Sequence, residues 1–167
     1  MYYSDTALAF ANYFIQKANE DSIGMTPMKL LKLIYISHGW HLAVYDKPLI
    51  EEPVLAWKYG PVIPSVYREF KIYGNSNIND TGFIFNSHRQ MIIPLADKNK
   101  WEFLNKVWDV YKSYTGLQLS AMTHKKNTPW DTVYNSGLGE NTVIPNTLIK
   151  QHYLNKIPIN QPEHHAS

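Results

Sequence analysis

The chain has 167 residues, 44% of them hydrophobic and 14% aromatic, with a formal net charge of +2 and no cysteine. This composition fits one globular domain with a substantial core; it excludes a disordered chain, disulfides, thiolate metal sites and a cysteine nucleophile. So small a charge exerts little long-range pull on a polyanion, no apolar run reaches the roughly 18 residues of a membrane span, and the N-terminus lacks the basic and apolar regions of a secretory signal, so a cytoplasmic protein without a membrane partner is expected.

Ser4 and Asp5 can cap a first helix running to about Asn19, with Leu8, Ala11, Phe14, Ile15 and Ala18 on one stripe and Ala7 at its edge. A polar turn with Gly24 follows. Thr26 and Pro27 then suit the N-cap and first position of a second helix, which runs to Ala43. Leu31, Ile34, Tyr35, His38 and Leu42 line one face of it, and Leu30, Leu33, Ser37 and His41 the flank beside it. A helix apolar over so wide an arc is a central helix, covered on several sides. Its remaining strip carries Lys29, Lys32, Ile36, Gly39, Trp40 and Ala43. Two readings of the strip stand: a half-buried edge with lysine stems laid along apolar surface, or a partner surface, since Trp beside cations is the composition of a binding hot spot. Gly39, mid-helix, costs about 1 kcal/mol relative to Ala, which points to a close approach at its backbone.

Pro48 and Pro53 hold the next segment extended, and Pro53 to Trp57 is expected as a short edge strand. Gly60-Pro61 and Pro64 predict a rigid turn. A short helix is expected from about Ser65 to Gly74, with Val66, Phe70 and Tyr73 inward and Arg68, Glu69 and Lys71 outward. Asn75 to Gly82 is a polar loop, and Phe83-Ile84-Phe85 with Met91-Ile92-Ile93 suggests a hairpin. Asp97 to Tyr114 is a long helix with Phe103, Leu104, Val107, Trp108 and Tyr111 on its stripe, broken by Gly116. Helices over Leu117 to Lys125 and from Thr128-Pro129 to about Tyr134, a connector at Ser136 to Gly139, and a last helix after Ile144-Pro145 with Leu148, His152 and Tyr153 inward complete the pattern. Ile157 to Ser167 reads as a loose tail. The fold class is therefore mainly α (α+β): a single-domain helical bundle around a buried central helix, with a small antiparallel β element, domain 1–155 and tail 156–167.

Site chemistry is sparse. His38 and His41 are three apart on one helix and His124 could join them, but no carboxylate lies beside them and no His-Glu-x-x-His pattern occurs, so no metal and no cofactor is expected. The acidic residues fall in caps, turns and outward faces, no Gly-x-Ser-x-Gly elbow is present, and the two prolines after Gly60 remove N–H donors that a phosphate cradle needs. An enzyme is not expected. Lys29, Lys32, Lys58, Arg68 and Lys71 with Trp40, Trp57 and Tyr59 offer nucleic-acid binding as an alternative, which the small net charge disfavours. Thr123 and His124 can bond the last carbonyls of their helix, and Trp130 reads as an anchor, its indole N–H in need of an acceptor, joining the C-terminal half to the central helix.

Three stretches carry a family resemblance: Met28-Lys29-Leu30-x-Lys32-Leu33-x-Tyr35 followed by Gly39 and Leu42; Ala56-Trp57-x-Tyr59-Gly60-Pro61-Val62 with Tyr67 downstream; and Leu119-Ser120-x-x-Thr123-His124 with Pro129-Trp130. In order and spacing they resemble the Panacea domain of SocA-like antitoxins, also described among phage-associated proteins of the GepA type, from about Tyr3 to Tyr153. The resemblance implies a mostly helical domain with a small β element and an antitoxin that neutralises a cognate toxin by direct binding. For SocA-like members it also implies an adaptor that presents the toxin to a protease. It supplies no catalytic residues. Lys29, Lys32, Trp40, Trp57, Lys58 and Tyr59 are the expected partner-binding residues. Tyr35, Gly39, Gly60, Pro61, Thr123, His124, Pro129 and Trp130 are expected to be structural.

Overall fold

A computed structural model describes residues 6–79, the paired strands 83–86 and 89–92, and residues 97–158. The described residues form seven α-helices in the order α1 (Ala7–Glu20), α2 (Pro27–Tyr45), α3 (Pro64–Phe70), α4 (Trp101–Tyr111), α5 (Gly116–His124), α6 (Pro129–Tyr134) and α7 (Asn146–Leu154). Two antiparallel hairpins interrupt them, β1 (Leu55–Trp57) with β2 (Gly60–Val62), and β3 (Phe83–Asn86) with β4 (Arg89–Ile92).

The helix ends follow local chemistry. Thr6 caps α1 through its side chain, Thr26 caps α2 with Pro27 at the first position, and Thr128 caps α6 with Pro129 in the same role. Ser4 and Asp5, the caps expected for α1, lie outside the described residues, as does most of the tail. Gly116 does not simply break a helix. It opens α5 behind a capping box in which Thr115 and Gln118 satisfy each other's backbone N–H groups. Consequently α4 stops at Tyr111 rather than Tyr114, preceded by a 3-10 turn over Lys98–Lys100 that Asp97 caps.

α2 is the axis of the bundle. Every residue from Lys29 to Gly39 is buried, as is Leu42. α7 and α5 pack on it most extensively, and α1, α3, α4 and β2 close the remaining sides. Each buried Leu, Ile or Phe contributes roughly 1.5–3 kcal/mol relative to exposure, so a helix buried all round anchors the fold. α1 is more deeply enclosed than a single stripe suggests, since Phe10 and Tyr13 are buried beside Phe14 and Ile15. In α7 the inward residues are Ile149 and Tyr153; Leu148 is exposed and His152 half-buried, because α7 turns its Tyr153 ring onto α2.

The first hairpin corrects two expectations. Gly60-Pro61-Val62 is a strand, not only a turn, in register Leu55 to Val62 and Trp57 to Gly60 around the two-residue turn Lys58-Tyr59. β1 is not an edge either: residues 141–144 run along its other side, with Ala56 N donating to Thr142 O at 2.9 Å and Ile144 N donating to Val54 O at 2.8 Å.

Candidate interaction surface

The six expected partner-binding residues do not share one surface. Lys29 is 5% exposed; its Nζ donates to the Lys112 carbonyl at 2.5 Å and lies 5.6 Å from the centre of the Trp108 ring. Lys32 is 2% exposed and its Nζ donates to Pro61 O at 2.9 Å. Trp40 is half-buried on another side of α2, where its Nε1 donates to Tyr111 Oη at 2.9 Å and its ring meets Tyr153 edge-on at 5.1 Å. The physical reason is the completeness of the bundle: α2 has no free face wide enough to present both lysines and the tryptophan together.

Trp57, Lys58 and Tyr59 do come together, at the tip of the first hairpin. Tyr59 is 65% exposed and the Lys58 ammonium sits 5.5 Å from its ring centre. Trp57 is half-buried, edge-on to Tyr67 at 4.9 Å, and its Nε1 donates to Asn141 Oδ1 at 3.1 Å. The tip is fixed from below by α5 and α6. Ser120 Oγ donates to Tyr59 O at 3.0 Å, and Trp130 Nε1 donates to Trp57 O at 2.7 Å. The indole of Trp130 thus finds its acceptor on the hairpin rather than on α2, stacked on Tyr134 at 4.5 Å and edge-on to His124 at 5.5 Å. Thr123 and His124 bond carbonyls of their own helix, Thr123 Oγ1 to Leu119 O at 3.0 Å and His124 Nδ1 to Ser120 O at 2.5 Å.

Beside the tip runs an open groove of about 440 Å³ between α2, the hairpin and α3. Met28, Leu31, Lys32, Trp57, Tyr59 and Tyr67 line it, with Lys58, Lys71 and Glu140 also on its lining. The sequence pointed to Lys71 only as an outward residue of the short helix and a nucleic-acid candidate, and it did not single out Glu140. For Lys71 the signal was present, because Tyr67 and Lys71 are four apart and share a helical face. Glu140 enters only because residues 141–144 pair with β1. Gly60 lies against the Lys32 side chain at φ +114°, a conformation that favours glycine, and a Cβ there would lie 2.7 Å from Lys32 Nζ. Lys32 is desolvated, with no acid beside it among the described residues, and burial lowers its pKa from 10.5 to about 7.

A second groove, of about 270 Å³, lies between α2 and α4, where Trp40, Phe103 and Val107 meet the exposed Val44, Tyr45 and Val110. The three histidines weighed as metal ligands face separate neighbours. His38 Nε2 meets Asn146 Oδ1 at 2.9 Å while its Nδ1 accepts from Ile50 N at 3.4 Å, and His41 Nδ1 meets Lys47 O at 2.7 Å. His124 is held on α5. Burial holds both His38 and His41 below the usual imidazole value.

Comparison with known proteins adds an independent line. Residues 30–131 match the family described as "Antitoxin SocA-like, Panacea domain". The chain is also 30% identical over 163 residues to "Antitoxin SocA" of Caulobacter vibrioides (strain NA1000 / CB15N), covering 93% of this chain and 87% of that protein. No solved structure matches. The matched segment begins inside α2 and ends in α6, so it contains most of the central helix, the whole first hairpin and the Trp130 contact that fixes it; by that match and by its likeness over nearly its full length, the chain belongs to the SocA-like antitoxin family and carries its Panacea domain, a family of antitoxins rather than of enzymes, whose partners are cognate toxins.

Proposed function

We propose that this protein neutralises a cognate toxin by direct protein–protein binding, through the hairpin tip at Lys58-Tyr59 and the groove beside it. One observation carries the reading: an exposed cation–aromatic pair, braced from below by α5 and α6, borders a groove walled by further aromatic side chains. Rigid aromatic anchors beside a concavity are what a protein-binding hot spot requires. Family membership supports the class of partner, and the relative named Antitoxin SocA supports the role. We take residues 1–155 as the binding domain and 156–167 as an appended tail. Nucleic acid fits the groove less well, because Glu140 lies on it and Lys29, one of the lysines first considered, is buried and does not line it.

The test is co-expression with the product of the paired gene, followed by growth and co-purification. Toxicity relieved with a stable complex is the expected result. Relief accompanied by disappearance of the toxin, without a complex, would replace occlusion by delivery to a protease. Absence of relief would overturn the reading. Lys58→Glu combined with Tyr59→Ala maps the surface better than a change at Trp57, whose indole braces the hairpin through Asn141 and Tyr67. The double variant is expected to stay folded and to bind the toxin about tenfold or more weakly; unchanged affinity would move the interface elsewhere.

A further inference from the structure

A lysine as buried as Lys32 ordinarily sits with a carboxylate. Among the described residues it has none: Pro61 O is its hydrogen-bond acceptor and no Asp or Glu pairs with it. An ammonium carries three donors, so two are left uncommitted. Lys32, though 2% exposed, is one of the residues lining the groove between α2, the first hairpin and α3. Gly60 leaves it this room, since any Cβ there would crowd the ammonium.

We propose that the Lys32 ammonium, within this aromatic-walled groove, is a socket for one carboxylate side chain, Asp or Glu, of the cognate toxin. The inference rests on the antitoxin reading above and deepens it by naming the chemistry of the contact. A carboxylate is monovalent and acceptor-only, which matches two free donors at a single cation. The Trp57, Tyr59 and Tyr67 rings give the stem of the incoming residue apolar contact, and Lys58 and Lys71 steer an acidic segment toward the groove. A phosphodiester chain suits the site less, because it brings repeated charges past Glu140. The other titratable groups around Lys32 are Tyr59 and Lys58 on the hairpin, Tyr67 and Lys71 from α3 and the turn after it, His124 on α5, and Glu140. Seating a carboxylate on the ammonium raises its lowered pKa, so complex formation takes up a proton near neutral pH.

The experiment compares toxin binding by the wild-type chain and by Lys32→Met, which keeps the length and apolar stem of the side chain and removes the charge. Thermal unfolding of the free variant checks that it folds; loss of an uncompensated buried charge is expected to leave it at least as stable as wild type. Affinity for the toxin is expected to fall roughly thirtyfold or more, and substitution of one acidic toxin residue by its amide is expected to cost wild type the same while adding little to the Lys32→Met loss. A complex that forms with wild-type affinity in the variant would overturn the socket and leave the antitoxin reading standing. A toxin that binds neither protein would overturn both. Should Lys32→Met fail to fold, the Lys32 Cε resonance of the wild-type protein is followed through a pH titration with and without toxin. An upward displacement of its midpoint in the complex is expected, and an unmoved midpoint would overturn the proposal.

Discussion

At the scale of single residues, the buried polar groups of α2 divide into satisfied and unsatisfied. Ser37 donates to Leu33 O and His38 is bonded on both ring nitrogens. Tyr35 is different: it is 1% exposed and its hydroxyl has no hydrogen-bond partner among the described residues. An orphaned buried hydroxyl costs about 1–3 kcal/mol of desolvation, whereas the ring packs well, edge-on to Tyr153 at 6.3 Å. Tyr35→Phe is therefore expected to raise stability by about 1 kcal/mol in urea unfolding. A loss instead would show that the hydroxyl bonds an ordered water in the small space between α2 and α7. The tyrosine was legible in the sequence as part of a motif; its unmatched hydroxyl was not, because satisfaction depends on what the last helix presents to it.

At the scale of elements, the contact between α2 and α7 is the most extensive among the described helices. A Cβ on Gly39 would meet the Tyr153 ring at 2.1 Å. Two effects oppose one another in Gly39→Ala. Helix propensity favours Ala by about 1 kcal/mol, while forcing a ring away from a packed interface costs about 1–3 kcal/mol. At 2.1 Å, far inside contact distance, the clash wins, and a net loss of about 1–2 kcal/mol is expected from the urea midpoint. A gain would mean that α7 shifts outward freely. The sequence showed that something approaches the backbone at Gly39, because mid-helix glycine needs a reason. It did not show what, since Tyr153 lies more than a hundred residues away in the chain and reaches Gly39 only when α7 folds back.

At the scale of the whole molecule, buried titratable groups set the response to pH. Lys32 has a folded pKa of about 7 against an ordinary 10.5. Below about pH 7 it is charged in both states, and its burial opposes folding in full. Between 7 and 10.5 the unfolded chain holds a proton that the folded chain has released, so stability rises with pH. Lys29 and Lys156, also lowered by burial, act in the same direction. His38, His41 and His152 are lowered as well, so stability falls as acid charges them. Above about pH 10 the sign reverses, because buried Tyr13 and Tyr153 resist ionisation that the unfolded chain undergoes. Chemical denaturation is expected to give stability rising from pH 5 to about pH 9, by on the order of 1 kcal/mol per unit above neutrality, with a flatter upper limb in Lys32→Met. An equally steep limb in that variant would assign the effect to other groups.

The sequence by itself determined the presence of the helices, the caps of α2 and α6 and the identity of the central helix, since these rest on periodicity and on local hydrogen bonds between residues a few positions apart. It also determined the family, through three short motifs in fixed order. Only the tertiary structure decided which charged and aromatic residues face outward. Lys29, Lys32 and Trp40 lie on one strip of the central helix, yet the bundle buries both lysines, keeps Lys32 only on the lining of the groove and leaves the hairpin tip as the exposed surface. Exposure is a property of what packs on a residue from distant parts of the chain, and amphipathic side chains such as Lys and Trp are equally at home on either side of that boundary.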